Sequence, residues 1–558
     1  MCGIFGIVLG PKSQLEKSQI ISLANSLFEL SASRGKEATG ITLVNKTISY
    51  YKESTVSNKF IKSIVYKQIL NSFISSPDRK SLGQAIIGHS RLATNGAACD
   101  NTNNQPVRSG NVVGVHNGII VNDGKIWQKF PQLQRKITLD TEAAFGLIDH
   151  FAKELPLKLA VQMAYRELEG AASLAFVHAR YPFVILSTNT GSLYLARSLE
   201  KQVVIFASEW YIVNTVSKKL SQKPLPVKHV DANSGFLITP DRLLLEKFNL
   251  GKITAGPQKH APTKTLKQIR EIIADKNTLQ PVMFSGSLNS LKNLKKHTLD
   301  PEAISRIRRC TRCILPVTMP LIRFDDSGVC SYCLNFKKPQ VLGTDKLRQL
   351  LEKYQIKSTV GDSIVAFSGG RDSSYGLHLI KKSLKLTPVA YTYDWGMVTD
   401  LARRNQARIT GKLGVEHIIV SANIKYKRAN IRKNVTAWLA KPDLGMIPLF
   451  MAGDKQAEYY AEDVKRKTGI DLMIYCRGNT LENEEFKWGH CGIKNSAPKG
   501  VIHNLSPLGK FQLALYYGLH YLTNPAYINT SIIDTLFAYF VTYGMQLNFL
   551  YLWHYLRW

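Results

Sequence analysis

Near Arg306 the apolar pattern of this chain changes, and two different sheet architectures must therefore share one polypeptide. Before that point the runs CGIFGIVLG, QAIIGHSRLA, VVGVHNGIIV, ASLAFVHA, PFVILSTN, VVIFAS and GFLITP crowd the first 250 residues. Gly, Asn or Asp separates many of them, as hairpins in layered sheets require. After it, apolar strand, Gly-rich turn and amphipathic helix alternate. The strand candidates are SIVAF (363–367), PVAYTY (388–393), HIIVSA (417–422) and DLMIYC (471–476). Such alternation predicts a parallel, doubly wound sheet whose ligands sit at the carboxyl ends of its strands. The stretch between the two patterns is basic and polar, with one helix-like segment from Thr265 to Ala274. The expected organisation is an α+β domain at 1–250, a basic linker at 251–305, a small cysteine-bearing module at 306–340 and an α/β parallel-sheet domain at 341–558.

Lys and Arg number 73 against 41 Asp and Glu, a net charge of +32. A basic surface can attract nucleic acid, anionic lipid or acidic small molecules. No dense basic block stands out: the nearest are Lys425 to Lys433 and the stretch from Lys252 to Arg309, with 12 Lys/Arg against 4 Asp/Glu. Charge alone does not choose the partner, and neither nucleic acid nor membrane is the expectation. From Thr535 to Leu556 no charged side chain occurs, but Tyr539, Thr542, Gln546, Asn548 and His554 favour a buried helical hairpin over a span. Eight cysteines, four of them clustered, argue against a disulfide framework, and nothing like a signal peptide marks the Met-Cys-Gly start. A reducing cytoplasm is the expected compartment.

Removal of Met1 would make Cys2 the N-terminal residue. A free α-amine titrates near pH ~7.7–8.0, so one residue can carry both a thiol nucleophile and the base that activates it. Met-Cys alone is a weak signal. Further on come Arg34-Gly35, Gly88-His89-Ser90-Arg91-Leu92-Ala93-Thr94, Asn104-Gln105-Pro106, His116-Asn117-Gly118 and Asp140-Thr141-Glu142, in that order. With CGIFGI, these motifs resemble the class II glutamine amidotransferase domain, of N-terminal-nucleophile (Ntn) hydrolase type, over roughly the first 240 residues. The resemblance implies a four-layer sandwich in which Cys2 attacks the side-chain amide of glutamine, the nitrogen donor. It implies that Asn117 and the Gly118 N–H form the oxyanion hole. It also implies that Arg91 clamps the glutamine α-carboxylate, that Asp140 accepts its α-ammonium, and that Arg34 helps order the site. The Arg34 motif reads RGKEATG where relatives often carry an aspartate near its centre.

Cys310-x2-Cys313 and Cys330-x2-Cys333 are two knuckles separated by 16 residues. That spacing suits a tetrahedral four-thiolate zinc site, and with all four ligands from protein the zinc would be structural.

Ile364-Val365-Ala366-Phe367 runs into Ser368-Gly369-Gly370-Arg371-Asp372-Ser373-Ser374, followed by a helix predicted from about Tyr375 to Lys382. Glycines let backbone approach phosphate closely, and a helix N-terminus offers unpaired N–H groups. The pattern GxxxxGK[ST] of a P-loop is absent. The segment resembles the SGGxDS loop of the ATP pyrophosphatases (adenine nucleotide α-hydrolase-like), which cleave ATP to AMP and pyrophosphate. By that resemblance Ser368, Gly369, Gly370, Asp372 and Ser373 cradle pyrophosphate with Mg2+ assisting, and Arg371 adds charge.

From Arg306 onward, CTRCILPVTMPLIRFDDSGVCSYC, AFSGGRDSSYG, YTYDWGMVTDLARRNQARITGKLGVEH, LGMIPLFMAGDK and CRGNTLENEEFKWG resemble the N-acetyl sugar amidotransferases of nonulosonic-acid and surface-polysaccharide pathways. The resemblance implies conversion of a sugar acetamido group to an acetamidino group. It places Asp394 and Trp395 near adenine or sugar, with Asp454, Lys455, Asn479 and Glu482 as weaker candidates. Two departures stand out. Those enzymes usually rely on a separate glutaminase, and they run beyond the point matching Trp558, so a C-terminal continuation is expected. Three other readings compete. A tRNA-thiolating ATP pyrophosphatase would use Cys476 and Cys491 as its sulfur-carrying pair but has no use for a glutaminase. An asparagine-synthetase-like ligase would lack the zinc knuckles. A catalytically inactive scaffold would have no need of intact Cys2, Asn117 and Arg91.

Overall fold

Gly3–Leu9 is buried along its whole length, so this first strand must lie between two apolar layers rather than on a half-wet sheet. The computed structural model describes residues 2–92, 96, 98–221, 224–251, 266–273, 300–319, 322–336, 340–354, 358–446, 452–476, 506–532, 537–538, 540–541 and 549–557. Two sheets are built from β1 (Gly3–Leu9), β2 (Ala38–Val44), β3 (Ile48–Glu53), β4 (Gln84–Arg91), β5 (Val107–Ser109), β6 (Val112–Ile120), β7 (Gly170–His178), β8 (Val184–Thr188), β9 (Tyr194–Ser198), β10 (Val203–Ala207), β11 (Val227–His229), β12 (Ser234–Thr239), β13 (Leu244–Asn249) and β14 (Ile269–Glu271). One sheet has the order β11-β9-β10-β1-β4-β2-β3-β14 and the other β13-β12-β8-β7-β6-β5.

The two sheets face each other across one apolar core. Ile4, Val8, Ala85 and Ile87 from the first meet Val113, Val115, Ala175, Val177 and Leu186 from the second. Helix α1 (Lys17–Ser31) covers the outer face of the first sheet, where the Phe28 ring sits edge-on to Phe5 at 4.7 Å. Helices α2 (Thr141–Phe151) and α3 (Leu157–Glu167) cover the second through Ala143, Phe145, Leu147, Ile148, Ala160 and Ala164. The layers therefore run helix, sheet, sheet, helix. Side chains that alternate along a strand can serve a helix layer and a sheet layer at once.

The helix expected within 265–274 is a strand instead. β14 pairs in parallel with β3 (Ile269 opposite Ile48), and the Ile48 and Ile272 N–H groups donate to Gln268 and Tyr50 carbonyls, 2.9 and 2.8 Å. An open sheet edge supplied partners that a short basic segment could not find within itself, so part of the expected linker belongs to the first sheet.

Four strands of the second pattern, β15 (Ser363–Ala366), β16 (Pro388–Asp394), β17 (His417–Ser421) and β18 (Met473–Tyr475), pair in parallel in the order β17-β16-β15-β18. Helices α4 (Arg371–Lys382) and α5 (Asp400–Leu413) follow β15 and β16. The left-handed Gly414 (φ +61°) ends α5, as glycine at that position allows. Packing does not follow the expected linear divisions. Residues 1–274, 350–429 and 456–476 form one compact unit, so the sandwich and the parallel sheet belong together; residues 275–349, 430–455 and 477–558 form the other.

In the second unit, helix α6 (Pro507–Thr523) packs on Ala437, Met446 and Tyr527 through Tyr516, Tyr517 and Tyr521. Of the apolar stretch from Thr535, residues 537–538 and 540–541 are helical, Leu550–Tyr551 is extended and Leu552–His554 is one 3-10 turn; the rest of the expected hairpin lies outside the described residues. Among the described residues no helix is long and apolar enough to cross a membrane.

Candidate functional site

Cys2 opens β1, is buried, and its thiol donates to the Leu92 carbonyl at 3.5 Å. Burial raises the thiol above its ordinary range, while the Arg91 and Arg34 charges pull it back. The register fixes the neighbours: Gly3 lies opposite Ser90 on β4, which puts Arg91 and Leu92 at the mouth of the site. A side chain at Gly35 would fall 2.2 Å from the Arg91 carbonyl carbon, so glycine lets the Arg34-Gly35 turn press against that strand end.

Arg91 is 2% exposed, and its guanidinium donates to the Asn104 Oδ1 at 2.6 Å and the Gly96 carbonyl at 3.0 Å. Asn104 is held in turn by Ser54, Ala98 and Asn101. The sequence motif Asn-Gln-Pro thus acts through Arg91: it sets the fork in place. Gln105 does the same for β6, with its amide donating to the His116 carbonyl (3.0 Å) and its oxygen accepting the His116 N–H (2.5 Å). His89 of β4 contacts that carbonyl too, at 3.3 Å, and burial followed by Arg91 brings its imidazole down to about 3, neutral. These bonds tie the two sheets together beside Asn117.

Asn117 is the most telling residue. It is 2% exposed, and among the described residues neither its Nδ2 nor its Oδ1 has a hydrogen-bond partner. A buried amide left unpaired costs roughly 1–3 kcal/mol per group, a cost that a bound oxyanion would relieve at the donor. Gly118 has φ +146°, and a Cβ there would lie 1.8 Å from the Ala171 carbonyl oxygen, so only glycine fits. Asp140 caps the start of α2 and its Oδ2 accepts the Ile120 N–H at 2.7 Å. Its Oδ1 lies 3.8 Å from the His116 Nδ1, which also contacts the Thr141 hydroxyl at 3.1 Å.

Arg34 is placed differently from the other candidates. Its Nη1 donates to Glu209 at 3.2 Å, and its buried Nε and Nη2 have no partner among the described residues. Glu209 was not legible from the sequence, since an acid after the run VVIFAS looks like an ordinary strand end. Close by, the Tyr194 hydroxyl donates to Glu416 at 2.5 Å. Burial raises that carboxyl to about 8, with the hydrogen bond from Tyr194 and the charge of Arg34 opposing it.

Glu416 belongs to the parallel-sheet region, and its bond with Tyr194 is one of the contacts that join that region to the sandwich. Leu92, whose carbonyl accepts the Cys2 thiol, packs its side chain on Ile419 of β17, with Ile424 alongside. Ala407 of α5 packs on Ile119 and its cross-strand partner Ala171, next to Asn117 and Gly118 in the β6–β7 pair. At Gly411 a Cβ would approach the Gly170 carbonyl oxygen to 1.9 Å, so the helix lies nearly backbone to backbone with β7.

Between β15 and α4 lies the glycine loop. Gly369 has φ +78°, and a Cβ there would meet the Ala402 carbonyl oxygen at 2.7 Å. The helix begins at Arg371, four residues earlier than predicted, with Gly370 as its N-cap. Asp372 and Ser373 therefore sit in its first turn beside unpaired N–H groups. The Ser368 hydroxyl contacts that of Ser373 at 3.1 Å and accepts the Gly370 N–H at 3.3 Å. The Arg371 side chain is 95% exposed, with Asp372 at 3.7 Å. Asp394, at the carboxyl end of β16, is already engaged: it accepts from the Arg403 Nε and Nη2 at 3.1 and 2.7 Å and from the Gly396 N–H at 2.9 Å. That is a positioning arrangement for the strand end. A buried His417 contacts the Thr392 hydroxyl at 2.8 Å, and Thr392 donates to the Phe367 carbonyl just before the loop.

Cys310, Cys313, Cys330 and Cys333 present four sulfurs within 4.8 Å of one another, with Cys310–Cys333 at 3.9 Å and Cys313–Cys330 at 3.5 Å. A tetrahedron of ~2.3 Å zinc–sulfur bonds has edges of about 3.8 Å, so the cluster can hold such an ion. Burial pushes the Cys310 thiol up, but the amides of Cys313, Cys330 and Arg312 outweigh it and bring it down to about 6. Cys476 is different: burial pushes its thiol up to about 12, which suits a packed residue and not a sulfur carrier. Cys491, Asn479 and Glu482, and the side chains of Asp454 and Lys455, lie outside the described residues.

Residues 89–214 match the family model of a glutamine amidotransferase domain. Curated relatives include glutamine--fructose-6-phosphate aminotransferases [isomerizing]. That of Acinetobacter baylyi is 30% identical over 195 residues, 34% of this chain and 29% of the relative. That of Chlorobaculum tepidum is 26% identical over 289 residues, 49% of this chain and 44% of the relative. The matches thus span under half the length of these relatives. Among solved structures, glutamine phosphoribosylpyrophosphate amidotransferase from B. subtilis aligns with a TM-score of 0.32 and 20% identity, covering 45% of this chain and 49% of that one. A predicted glutamine amidotransferase from Pseudomonas aeruginosa aligns with a TM-score of 0.23 and 14% identity, covering 44% and 99%. The chain carries a glutamine amidotransferase domain.

Proposed function

We propose that this protein hydrolyses glutamine at Cys2 and delivers the ammonia to a substrate activated with ATP at the 368–373 loop. The observation that carries the reading is the packing of the parallel sheet directly on the Cys2 site within one compact unit, through Leu92–Ile419 and Ala407 against Ile119 and Ala171. A glutaminase alone has no need of that contact. Ammonia protonates and is lost in bulk water, so a nitrogen donor packed on its consumer suits transfer.

In the first half-reaction the Cys2 sulfur adds to the glutamine carbonyl, and the unpaired Asn117 amide and the Gly118 N–H receive the developing oxyanion. Ammonia leaves with a proton from the α-amine of a processed N-terminus, and water releases glutamate from the thioester. Arg91, held by Asn104, would pair with the α-carboxylate, and Asp140 Oδ1, 3.8 Å from His116 Nδ1, would accept from the α-ammonium. Arg34, bound to Glu209, orders the wall of the site and need not touch glutamine.

In the second half-reaction an acetamido oxygen of an N-acetylated sugar attacks the α-phosphorus of ATP and expels pyrophosphate. Ser368, Gly369, Gly370, Asp372 and Ser373 would hold that pyrophosphate, with Mg2+ balancing its charge, and Arg371 is free to swing onto it. Ammonia then adds to the activated carbon. AMP departs with the former carbonyl oxygen, one proton is lost, and an acetamidino group remains. Asp394 serves this half by fixing the β16 end through Arg403. The four-cysteine cluster is read as a structural zinc site, the protein as an Ntn-type sandwich joined to an ATP pyrophosphatase sheet, and its compartment as the cytoplasm.

The test is product analysis with purified protein whose N-terminus is processed. Glutamate should form from glutamine, and AMP with pyrophosphate should form on addition of an N-acetylated sugar acid but not of bulk tRNA. Asp372→Ala should abolish pyrophosphate release and leave basal glutamine hydrolysis within about twofold. Release of inorganic phosphate and ADP, or stimulation by tRNA, would overturn the reading.

A further inference from the structure

Helix α6 (Pro507–Thr523) turns one face inward and leaves the other apolar. Its inner face is fixed by Leu513, by Tyr516, whose hydroxyl donates to Asp443, and by Tyr517, which donates to the Gly445 carbonyl at 3.2 Å. The Ser506 hydroxyl caps the N-terminus by accepting the Gly509 N–H at 3.1 Å, and just past the C-terminus Asn524 anchors the chain by donating to the Ala437 carbonyl at 2.7 Å. The opposite face shows Leu508, Phe511, Leu515, Leu519 and Leu522, 66, 65, 53, 53 and 77% exposed. At ~100° per residue these five fall within an arc of about 80°. That is the narrow seam of a helix meeting another helix. A helix lying on lipid carries a broader apolar face and a polar face rich in Lys and Arg. Here the only Lys or Arg of the helix is Lys510.

The spacing of the five is 3, 4, 4, 3, a palindrome centred on Leu515. In an antiparallel pair of identical helices with Leu515 on the twofold axis, Leu508 meets Leu522, and Phe511 meets Leu519, each twice. A closed twofold interface needs such self-complementarity, because the same patch serves both partners. The helix contains no Asp or Glu, and its seam contains no charge, so no like-charge clash opposes the pairing. Gly518 lies on the flank of the seam. An interior helix glycine costs roughly 1 kcal/mol relative to alanine, and among the described residues a Cβ there would meet nothing within 4 Å, so no described neighbour in the same chain calls for it. A second helix at the usual ~8–10 Å separation would.

We infer that the outer face of α6 is a homodimer interface, in which two copies pair this helix antiparallel about Leu515. A stable interface buries ~800 Å² per partner, and the five-residue seam supplies its apolar centre.

Sedimentation velocity of the full chain tests this. Wild type should sediment at twice the chain mass of 62.6 kDa. Leu515→Arg places two like charges on the axis and should raise the dimer dissociation constant about 100-fold or more. Because an arginine can disturb folding, Leu508→Ser with Leu522→Ser gives a second, milder arm, expected to weaken the dimer at unchanged far-UV circular dichroism. Ile64→Arg, at an exposed apolar residue of the first unit, is the control and should remain dimeric. A monomeric wild type, or a Leu515→Arg protein that dimerises as tightly as wild type, would overturn the inference. So would an undiminished oligomer whose Leu515→Arg form loses only binding to phosphatidylglycerol vesicles, since the face would then belong to lipid.

Discussion

Replacing Asn117 by leucine should make the protein more stable and nearly inactive, opposite signs that follow from one observation. Both polar atoms of this side chain are buried without partners among the described residues. Leucine has almost the same shape and needs none, so the folded state should gain roughly 1–3 kcal/mol. For a unit this large that is a rise of about 1–2 °C in Tm per kcal/mol. The same change removes an oxyanion donor, and loss of one such donor lowers kcat by roughly 10²–10³, or ~2.7–4 kcal/mol of barrier. KM for glutamine should move little, because the donor acts on the transition state. Glutamate release measured over a range of glutamine concentrations, with thermal melts of the same samples, reads both effects. A variant that keeps kcat within threefold refutes the oxyanion role. A variant that melts lower by more than 1 kcal/mol shows that the amide is paired in the free protein and that its apparent idleness misled us.

Other outcomes follow from neighbouring groups. Burial holds the Glu416 carboxyl at about 8, above the ~4.3 of a free glutamate, so the folded protein keeps a proton that the unfolded chain releases. Stability is then greatest below pH ~4.3, falls as pH rises towards 8, and levels off beyond it. Glu416→Gln keeps an acceptor for Tyr194 and lacks this decline, so its advantage over wild type in denaturant melts should grow by a few kcal/mol between pH 5 and 8; a constant difference would contradict the placement of a neutral carboxyl there. Cys313→Ser should lower bound zinc, measured by elemental analysis, from one per chain to well below it and expose residues 306–336 to proteolysis; an unchanged metal content would remove the cluster from the account.

The strands and the two loops that matter were legible because each carries its own local signature. Periodic apolar runs mark β1, β6 and β15 to β17, and glycines mark Gly118 and Gly369, where a side chain would strike a carbonyl oxygen. What escaped the sequence is what depends on distant partners. Ile269–Glu271 has no β signature of its own and became a strand because β3 offered an edge. Asp394 stands at a strand end as a ligand group would, and its ion pair with Arg403, nine residues on in α5, is not visible in the local pattern. Glu209 and Glu416 are single acids within ordinary strand contexts, 175 and 222 residues from the partners that give them meaning. The joining of the sandwich to the parallel sheet in one unit rests on small residues, Ala407 and Gly411, that no local pattern distinguishes.

A direct measurement bears on the nucleophile. The protein would be incubated with an electrophilic glutamine analogue, digested, and its peptides weighed by mass spectrometry. One adduct on Cys2, in a peptide lacking Met1, with adduct formation slowed by free glutamine and turnover lost in step with labelling, is the expected result. An intact Met1 in fully active enzyme, or a glutaminase that stays active while Cys2 is fully alkylated, would contradict it.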